Sequence, residues 1–295
     1  MFAERSGGLG SASAQDEASG RRHIWLCADD YGISTAVNTA IRDLVVRGRI
    51  NATSVMVTAP SFHRSEAISL AILNSGAKRV SIGLHLTLSA PFRPLSKGYK
   101  PVRDAGFLPI GSTLLQAFQR RLDREALVIE IATQLRAFVQ TFGCAPDFID
   151  GHQHVHLFPQ VRDAVLKVVK ETSPNVWVRQ CGSVVPLMRK IGDPKGVLID
   201  ILSRRFRRRA AAMGVRTNPA FAGTYTFDER ANFARLFPRF LDRLPDGSVV
   251  MCHPGFVDAE LRRLDPLTTL REKEYAFFAD ESFPTVLATH GVALA

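Results

Sequence analysis

The feature of this chain that most constrains its fold is a repeated alternation of short apolar runs with longer segments of helical periodicity. The run His23–Ala28 is apolar and stops at two aspartates, as a buried strand opening into a loop does. The segment Asn38–Arg47 then carries apolar residues at helical spacing and stops before Gly48. This order recurs about six or seven times, which predicts a mostly parallel sheet covered by helices.

The remaining segments extend this alternation. Strands are also predicted over Thr53–Val57, Val80–Leu84, Asp147–Asp150, Val176–Val178 and Ser248–Met251. Helices are also predicted over Phe62–Leu73, Arg124–Phe142, Pro159–Glu171, Phe233–Leu241 and Thr268–Phe278. The proline-rich stretch Thr87–Ser112 predicts a long loop without regular structure, typical of a lid or binding loop. Residues 186–227 predict one or two helices followed by a loop.

Polar residues follow several different predicted strands, and this bears on how the sheet closes. In a (β/α) barrel the loops after all strands converge at one end, whereas an open doubly wound sheet gathers its site in one crevice. The sequence therefore predicts an α/β fold with mostly parallel strands in a deformed, TIM-like (β/α) barrel. No linker divides the 295 residues, so residues 22–295 are predicted to form one barrel domain and residues 1–21 a disordered tail.

The chain carries an excess of positive charge, with 38 basic against 28 acidic residues. Five of the arginines lie in the single run Arg204–Arg209. Such a run is typical of a solvated helix face, and the alternatives are an acidic partner or a nucleic acid. No nucleic-acid-binding motif accompanies the run, so no nucleic-acid partner is expected. Salt-sensitive binding that is lost when the run is neutralised would contradict this.

Cysteine usage and hydropathy restrict the compartment. The four cysteines are scattered without short paired spacing, which argues against a disulfide framework or a thiolate zinc site. The N-terminal tail lacks the apolar core of a secretory signal, and no apolar segment approaches the roughly 20 residues needed to cross a bilayer. We therefore expect a cytoplasmic protein without a transmembrane segment. Its oligomeric state, a homo-oligomer included, is open.

Four polar clusters follow apolar runs, and their residue types predict metal-dependent hydrolysis. The clusters are Ala28–Gly32, Gly83–Leu86, Asp150–His156 and Cys252–Gly255. One carboxylate and two imidazoles can hold a divalent ion with a position open for water. A second carboxylate and a further histidine then remain for proton transfer. Because each cluster alone has an ordinary structural explanation, the prediction depends on their convergence.

Those ordinary explanations concern individual residues. The two adjacent aspartates can serve one site only where the chain turns, for which Gly32 is suited; otherwise one of them caps the next helix with Ser34. His85 alone would be typical of a hydrogen-bonded core histidine. His152, His154 and His156 would share one side of an extended chain and repel one another if all were protonated, which favours neutral ligands or hydrogen-bonded supports; the ordinary explanation is a solvated histidine-rich loop. Cys252 carries no sign of activation as a nucleophile.

At these residues the sequence resembles the YdjC-like carbohydrate deacetylases, a family that includes chito-oligosaccharide and hopanoid-biosynthesis deacetylases. The resemblance covers roughly residues 22–293 and is carried by the motifs Ala28–Ser34, Gly83–Leu86, Asp150–Pro159 and Met251–Pro254. The four motifs are specific only together. Tyr31 departs from the family pattern, in which many members have phenylalanine.

The resemblance implies a deformed (β/α) barrel that hydrolyses the N-acetyl group of an amino sugar with a divalent metal ion, Mg²⁺ or Zn²⁺. It implies that the metal ligands are Asp30, His85 and His152. It also implies that Asp29 is the general base and His253 the general acid. Arg179, at the end of a predicted strand, is a candidate to pair with Asp29 or with a substrate oxygen.

Two other functions fit the same framework. A phosphoesterase would release phosphate instead of acetate. A carbohydrate-binding protein without activity would not require the complete set of candidate ligands and acid–base groups, and this favours the enzyme. The resemblance does not fix the sugar, its chain length, or any lipid or phosphate attached to it.

Overall fold

A parallel sheet organises the residues that the computed structural model describes, 20–185 and 193–295. The strands are β1 (Arg22–Tyr31), β2 (Ala52–Val55), β3 (Ser81–Leu86), β4 (Val102–Arg103), β5 (Gly106–Phe107), β6 (Phe148–Gly151), β7 (Trp177–Val178), β8 (Phe221–Ala222), β9 (Ser248–Cys252) and β10 (Val292–Leu294). Nearly all of the tail expected over residues 1–21 lies outside the described residues.

Helices connect the strands and cover the sheet. They are α1 (Thr35–Val46), α2 (Arg64–Ala71), α3 (Ile110–Phe118), α4 (Arg124–Phe142), α5 (Val161–Thr172), α6 (Pro194–Met213), α7 (Phe233–Phe240), α8 (Ala259–Leu264), α9 (Thr269–Ala279) and α10 (Phe283–Thr289), with 3₁₀ turns at Ile72–Asn74 and His152–Leu157. The predicted alternation of strand and helix is confirmed over most of these elements, with ends that differ by a few residues.

The large sheet curls into a barrel that is only partly closed. Its strands run in the order β7-β6-β3-β2-β1-β9-β8, with β10 beside the start of β1, and every pairing is parallel. Two backbone hydrogen bonds join the ends of this path: Val178 N donates to Arg216 O at 2.9 Å, and Phe221 N donates to Gly182 O at 3.1 Å. The predicted deformed (β/α) barrel is confirmed.

β1 lies at the centre of the sheet, with β9 along one edge and both β10 and β2 along the other. Where β10 gives way to β2, the side chain of Asn51 fills the fork. Its Oδ1 accepts from Leu26 N at 2.8 Å, and its Nδ2 donates to Ile24 O and Ala295 O, each at 3.0 Å. The amide thereby gives the buried Leu26 N an acceptor at the point where β1 changes its neighbour, and it ties β10 to β1.

Two regions are more regular than their sequences predict. The stretch Thr87–Ser112 contains the β4–β5 hairpin and the start of α3, and Phe92 and Phe107 bury their rings within it. The sequence does not reveal the hairpin, because each of its strands has only two residues, too few for a periodic signal. The C-terminal strand β10, which was not predicted, is similarly short.

Helix α6 is the helix expected to carry the arginine run in residues 186–227, of which residues 193–227 are described. It runs for 20 residues from Asp193, which caps it by accepting from Gly196 N, to a left-handed Gly214. Within it the five arginines of the run are exposed and Phe206 between them is buried, so the run lies on the outer face of a helix, as expected. No described helix combines the length and the apolar character needed to cross a membrane.

Replacing Gly83 in β3 with alanine should destabilise the barrel, because an added Cβ would overlap the buried ring of Phe148 in β6. Relieving such an overlap in a packed core typically costs about 1–3 kcal/mol. Urea unfolding of the G83A protein measures this loss. Gly111 in α3 is the control, since its Cβ would meet no atom within 4 Å, and G111A should not destabilise. Equal stability of the two variants would contradict the packing described.

Candidate functional site

The carboxyl end of β1 is irregular, and the irregularity directs two adjacent aspartates into one site. The register of β1 against β2 shifts between Ala28 and Tyr31. Within this bulge Asp30 has a left-handed backbone conformation with φ 71°, which is uncommon for a residue with a side chain. Such strain costs on the order of 1–3 kcal/mol and clusters at functional sites. The bulge breaks the strict alternation that would point Asp29 and Asp30 to opposite faces.

The turn expected at Gly32 is also present, since Gly32 has φ 103°. It follows the bulge and leads into α1. The alternative role for the aspartates, capping this helix, is wrong: Ser34 is the cap and accepts from Val37 N at 3.3 Å. Both aspartates are therefore available to the site.

Three of the predicted site residues meet at one carboxylate oxygen. Asp30 Oδ1 lies 2.9 Å from His152 Nδ1 and 3.2 Å from His85 Nε2. The three ligand atoms lie within 4.8 Å of one another, and the three side chains are buried. They come from the ends of β1, β3 and β6, which parallel pairing brings to the same end of the barrel. This set of one oxygen and two nitrogens suits Zn²⁺ or, with added waters, Mg²⁺; that it binds an ion stays a prediction.

The second ring nitrogen of His85 fixes the orientation of that ring. Asp150 Oδ1 lies 2.6 Å and Ser54 Oγ 3.0 Å from His85 Nδ1. A carboxylate on the outer nitrogen of an imidazole is the usual support of a metal-ligating histidine. Although burial favours the neutral ring, Asp150 raises the pKa of His85 to about 10. An ion that bound at Nε2 would therefore release a proton.

Arg179, immediately after β7, holds the other aspartate. Its Nη1 and Nη2 donate to the two oxygens of Asp29 at 2.7 and 2.8 Å, and Nη2 lies 2.5 Å from Asp150 Oδ2. Although burial opposes ionisation, the Arg179 guanidinium holds the pKa of Asp29 well below its usual range. Asp29 is thus a carboxylate at neutral pH, and the pairing with Arg179 that the sequence left open is confirmed.

A second group of potential ligand atoms, from Cys27, Asp29 and Asp150, is already satisfied by Arg179. Besides its hydrogen bond to Asp29 and its ion pair with Asp150, Nη2 donates to Cys27 Sγ at 2.9 Å. A guanidinium at the centre of the group excludes a second cation by charge and by volume. Burial raises the pKa of the Cys27 thiol well above its usual value, so it does not offer a thiolate.

Arg271 in α9 is a site residue that the sequence did not reveal. Its Nη2 donates to Asp30 Oδ2 at 2.6 Å and to Asp265 Oδ2 at 2.9 Å, and its Nε donates to Leu267 O at 2.9 Å. Burial opposes ionisation of Asp30, but Arg271 holds the pKa of that carboxyl well below its usual range. Arg271 occupies one oxygen of Asp30 and leaves the other, Oδ1, directed at the two histidines.

The three histidines after β6 do not share one side of an extended chain, which corrects the expectation for this segment. They lie in a 3₁₀ turn in which Gln153 and His154 have left-handed conformations, φ 53° and φ 59°. His154 Nδ1 lies 3.5 Å from Cys181 Sγ, and His156 Nε2 lies 2.8 Å from Arg179 O. Only His152 reaches the group around Asp30. Burial lowers the pKa of His156 to about 4 and that of His154 well below its usual value, so both rings are neutral.

His253 follows β9 at the same end of the barrel and lines the same cavity as the group around Asp30. Its backbone N donates to Glu274 Oε2 at 2.5 Å, and its ring lies edge-on to Phe227 with centroids 5.5 Å apart. Its Nδ1 has no hydrogen-bond partner among the described residues. Burial lowers the pKa of His253 to about 4. The neighbouring Cys252 is buried with a raised thiol pKa, which argues against a nucleophilic role.

A cavity of about 460 Å³ opens above these side chains. Its floor carries the carboxylates and imidazoles already described. Its walls are largely apolar and include Ile110 and Leu114 from α3, Leu198 and Leu202 from α6, and Phe158. The arrangement joins a buried set of charged and titratable groups to an apolar entrance.

Replacing Arg179 with leucine should destabilise the folded protein by about 3–5 kcal/mol, because it leaves Asp29 and Asp150 buried without their cation. Urea unfolding at neutral pH measures the loss. Arg235→Leu, at an exposed position of α7, is the control and should leave the unfolding midpoint near that of the parent protein. An R179L protein as stable as the control would show that the ion pairs contribute little.

Comparison with known proteins finds a family whose members resemble this chain over most of its length. The sequence model of a family described as YdjC-like protein matches residues 23–289. The chain is 28% identical over 270 residues to a protein of Clostridium beijerinckii named carbohydrate deacetylase, covering 86% of this chain and 93% of that protein. It is 25% identical over 256 residues to a chitooligosaccharide deacetylase of Escherichia fergusonii, covering 85% of this chain and 84% of the relative.

A solved structure supports the fold. The chain is similar, with a TM-score of 0.71 and 20% identity, to a protein of Enterococcus faecalis V583 that bears the provisional name cellobiose-phosphate cleavage protein. The similarity covers 93% of this chain and 97% of the other. At this level of identity the likeness concerns architecture alone.

Proposed function

This chain belongs to the YdjC-like protein family, and we propose that it is a metal-dependent deacetylase that removes the N-acetyl group from an amino sugar and releases acetate. The observation that carries the proposal is the meeting of Asp30, His85 and His152 within 4.8 Å of one another, beside a separate carboxylate, Asp29. The names of the relatives from Clostridium beijerinckii and Escherichia fergusonii support the same reaction on carbohydrate substrates. Deacetylation is thus favoured over a phosphoesterase and over sugar binding without catalysis.

In this proposal Asp30, His85 and His152 hold the divalent ion. When bound, such an ion lowers the pKa of a water to about 7 and stabilises the oxyanion formed at the acetyl carbonyl. Neighbouring residues fix the orientation of two of these ligands. Arg271 holds Asp30 by Oδ2, and Asp150 orients His85 through Nδ1. The donor set accommodates either Mg²⁺ or Zn²⁺, and the proposal includes both.

Asp29 is proposed as the general base. It lies next to the ligand carboxylate in the bulge of β1, and Arg179 holds both of its oxygens. The low pKa that this pairing imposes keeps Asp29 in the carboxylate form, which a general base requires, throughout the neutral range. Arg179 itself is a positioning residue, since its bonds fix the carboxylate that receives the proton.

His253 is proposed to protonate the departing amine. With a pKa of about 4 its ring is neutral before substrate binds, so the ring must gain a proton during the cycle in order to give one up. The proton that Asp29 takes from water would pass to His253 and from there to the amine nitrogen as the C–N bond breaks. The count then balances: water supplies hydroxide to the acetyl carbon and a proton to the amine.

The walls of the cavity bear on the substrate. Leu114 and Leu198 lie on different helices that line it, and both present apolar surface where a polysaccharide would need hydrogen-bonding partners. The resemblance offers both chito-oligosaccharides and hopanoid-linked sugars as substrates. We assign the chain to the second kind, an N-acetylated amino sugar joined to an apolar group.

Asp29→Asn should lower kcat for acetate release by about 10²–10⁴-fold, because proton transfer by a positioned side chain typically contributes that much. Binding of the metal ion, measured by calorimetric titration, should persist because Asp29 is not in the ligand group. Parallel loss of ion binding and turnover would contradict the division of roles between Asp29 and Asp30.

His152→Gln should abolish high-affinity binding of one divalent ion per chain, since the amide replaces an imidazole ligand. His156→Gln is the matched control, because His156 comes from the same 3₁₀ turn but contacts Arg179 O instead of Asp30. Titration of the metal-free proteins with Zn²⁺ measures both. The proposal predicts binding to the control and not to H152Q; the reverse order would overturn the ligand assignment.

Acetate release from a panel of N-acetylated sugars, with and without a chelator, tests substrate and metal together. An N-acetylglucosaminide with a long alkyl aglycone should give a higher kcat/KM than chito-oligosaccharides, and chelation should stop both reactions. Leu198→Ser should lower kcat/KM for the alkyl substrate by about tenfold, as expected for lost apolar contact. Release of phosphate from sugar phosphates without acetate release would favour the phosphoesterase instead.

A further inference from the structure

The apolar wall of the cavity continues onto the protein surface along α3. Ile110 and Leu114 line the cavity, and Phe118, one further turn along the same stripe, is 46% exposed. Leu115 beside it is 56% exposed. Large apolar side chains with this exposure are ordinary singly, but here they continue, along the same helix, the apolar side chains that line the cavity.

Helix α6 presents a second strip at the same mouth. From Leu198, which lines the cavity, the helical stripe at intervals of three and four leads to Ile201, Arg205 and Arg208. Ile201 is 41% exposed, and both arginines are exposed. The stripe therefore changes from apolar at the cavity to basic farther along the helix.

The charged residues along these two strips are all basic. No acidic residue occurs between Ile110 and Leu122, a segment that includes Arg120 and Arg121, and none occurs from Ile201 to Phe227. Arg204, Arg205 and Arg208 form no ion pair with any described residue. Arg209, in the same run, pairs with Asp163.

We propose that this rim, defined by Leu115, Phe118, Ile201, Arg204, Arg205 and Arg208, docks on the surface of an anionic lipid bilayer. Exposed apolar side chains flanked by arginines match the two layers of such a surface, acyl chains and anionic headgroups. Docking of the rim would set the cavity mouth against the membrane. The inference concerns binding alone and does not depend on the proposed deacetylation.

Co-sedimentation of the full-length protein with phosphatidylcholine vesicles, with and without phosphatidylglycerol, tests the proposal. Binding should require phosphatidylglycerol and weaken as salt is added. Neutralising three arginines in R204Q/R205Q/R208Q should weaken binding by about 100-fold, at about fivefold per arginine. L115S/F118S should also weaken binding while leaving its dependence on salt intact, because only the inserted apolar surface is lost.

Matched variants elsewhere on the surface serve as controls. I68S/I72S removes two apolar side chains that are 56% and 62% exposed near α2, and R235Q/R239Q removes two exposed arginines of α7. Both controls should bind vesicles as the parent protein does. Equal binding to neutral and anionic vesicles, or equal losses in rim and control variants, would overturn the proposal. So would sedimentation that finds the parent protein dimeric and the rim variants monomeric, since the rim would then be an interface between copies of the chain.

Discussion

The site depends on keeping two adjacent carboxylates, Asp29 and Asp30, ionised in a place that water barely reaches. Both residues are at most 2% exposed. A buried carboxylate without a partner would take up a proton instead of remaining charged. Arg179 prevents this by pairing with Asp29, and Arg271 by pairing with Asp30; each arginine is itself buried. The cations and carboxylates therefore require one another.

Because a different arginine binds each of the two adjacent aspartates, the two carboxylates can take different roles. Arg179 takes both oxygens of Asp29, whereas Arg271 takes only Oδ2 of Asp30. Asp30 Oδ1 thus stays directed at His85 and His152. Two neighbouring residues of one strand acquire different surroundings because the β1 bulge places them against different parts of the barrel. In the proposed mechanism these surroundings separate base from ligand.

The sequence predicts the parts of the site that follow strands, and the structure explains why. The aspartates of β1, together with His85, His152 and His253, come just after or at the end of apolar runs, and parallel strands bring such positions to one end of the barrel. The converging geometry is therefore encoded locally. The bulge that turns both aspartates inward leaves no comparable signal, because it arises from how β1 and β2 pair.

Arg271 could not be predicted in this way, because it does not follow a strand. It belongs to a helix, 241 residues along the chain from its partner Asp30, and nothing in its local sequence marks it as buried. The histidine segment after β6 misled prediction for a related reason. Its spacing suits an extended chain, but left-handed conformations at Gln153 and His154 turn the rings apart. Both features are set by tertiary packing, which local periodicity does not report.

The position of a bound ion decides whether Asp30, His85 and His152 form the metal site. Anomalous diffraction from crystals soaked with Zn²⁺ would locate it. We predict one strong peak about 2.0–2.2 Å from an oxygen of Asp30 and from one nitrogen each of His85 and His152. A peak among Cys27, Asp29 and Asp150 with Arg179 displaced, or no peak at this end of the barrel, would contradict it.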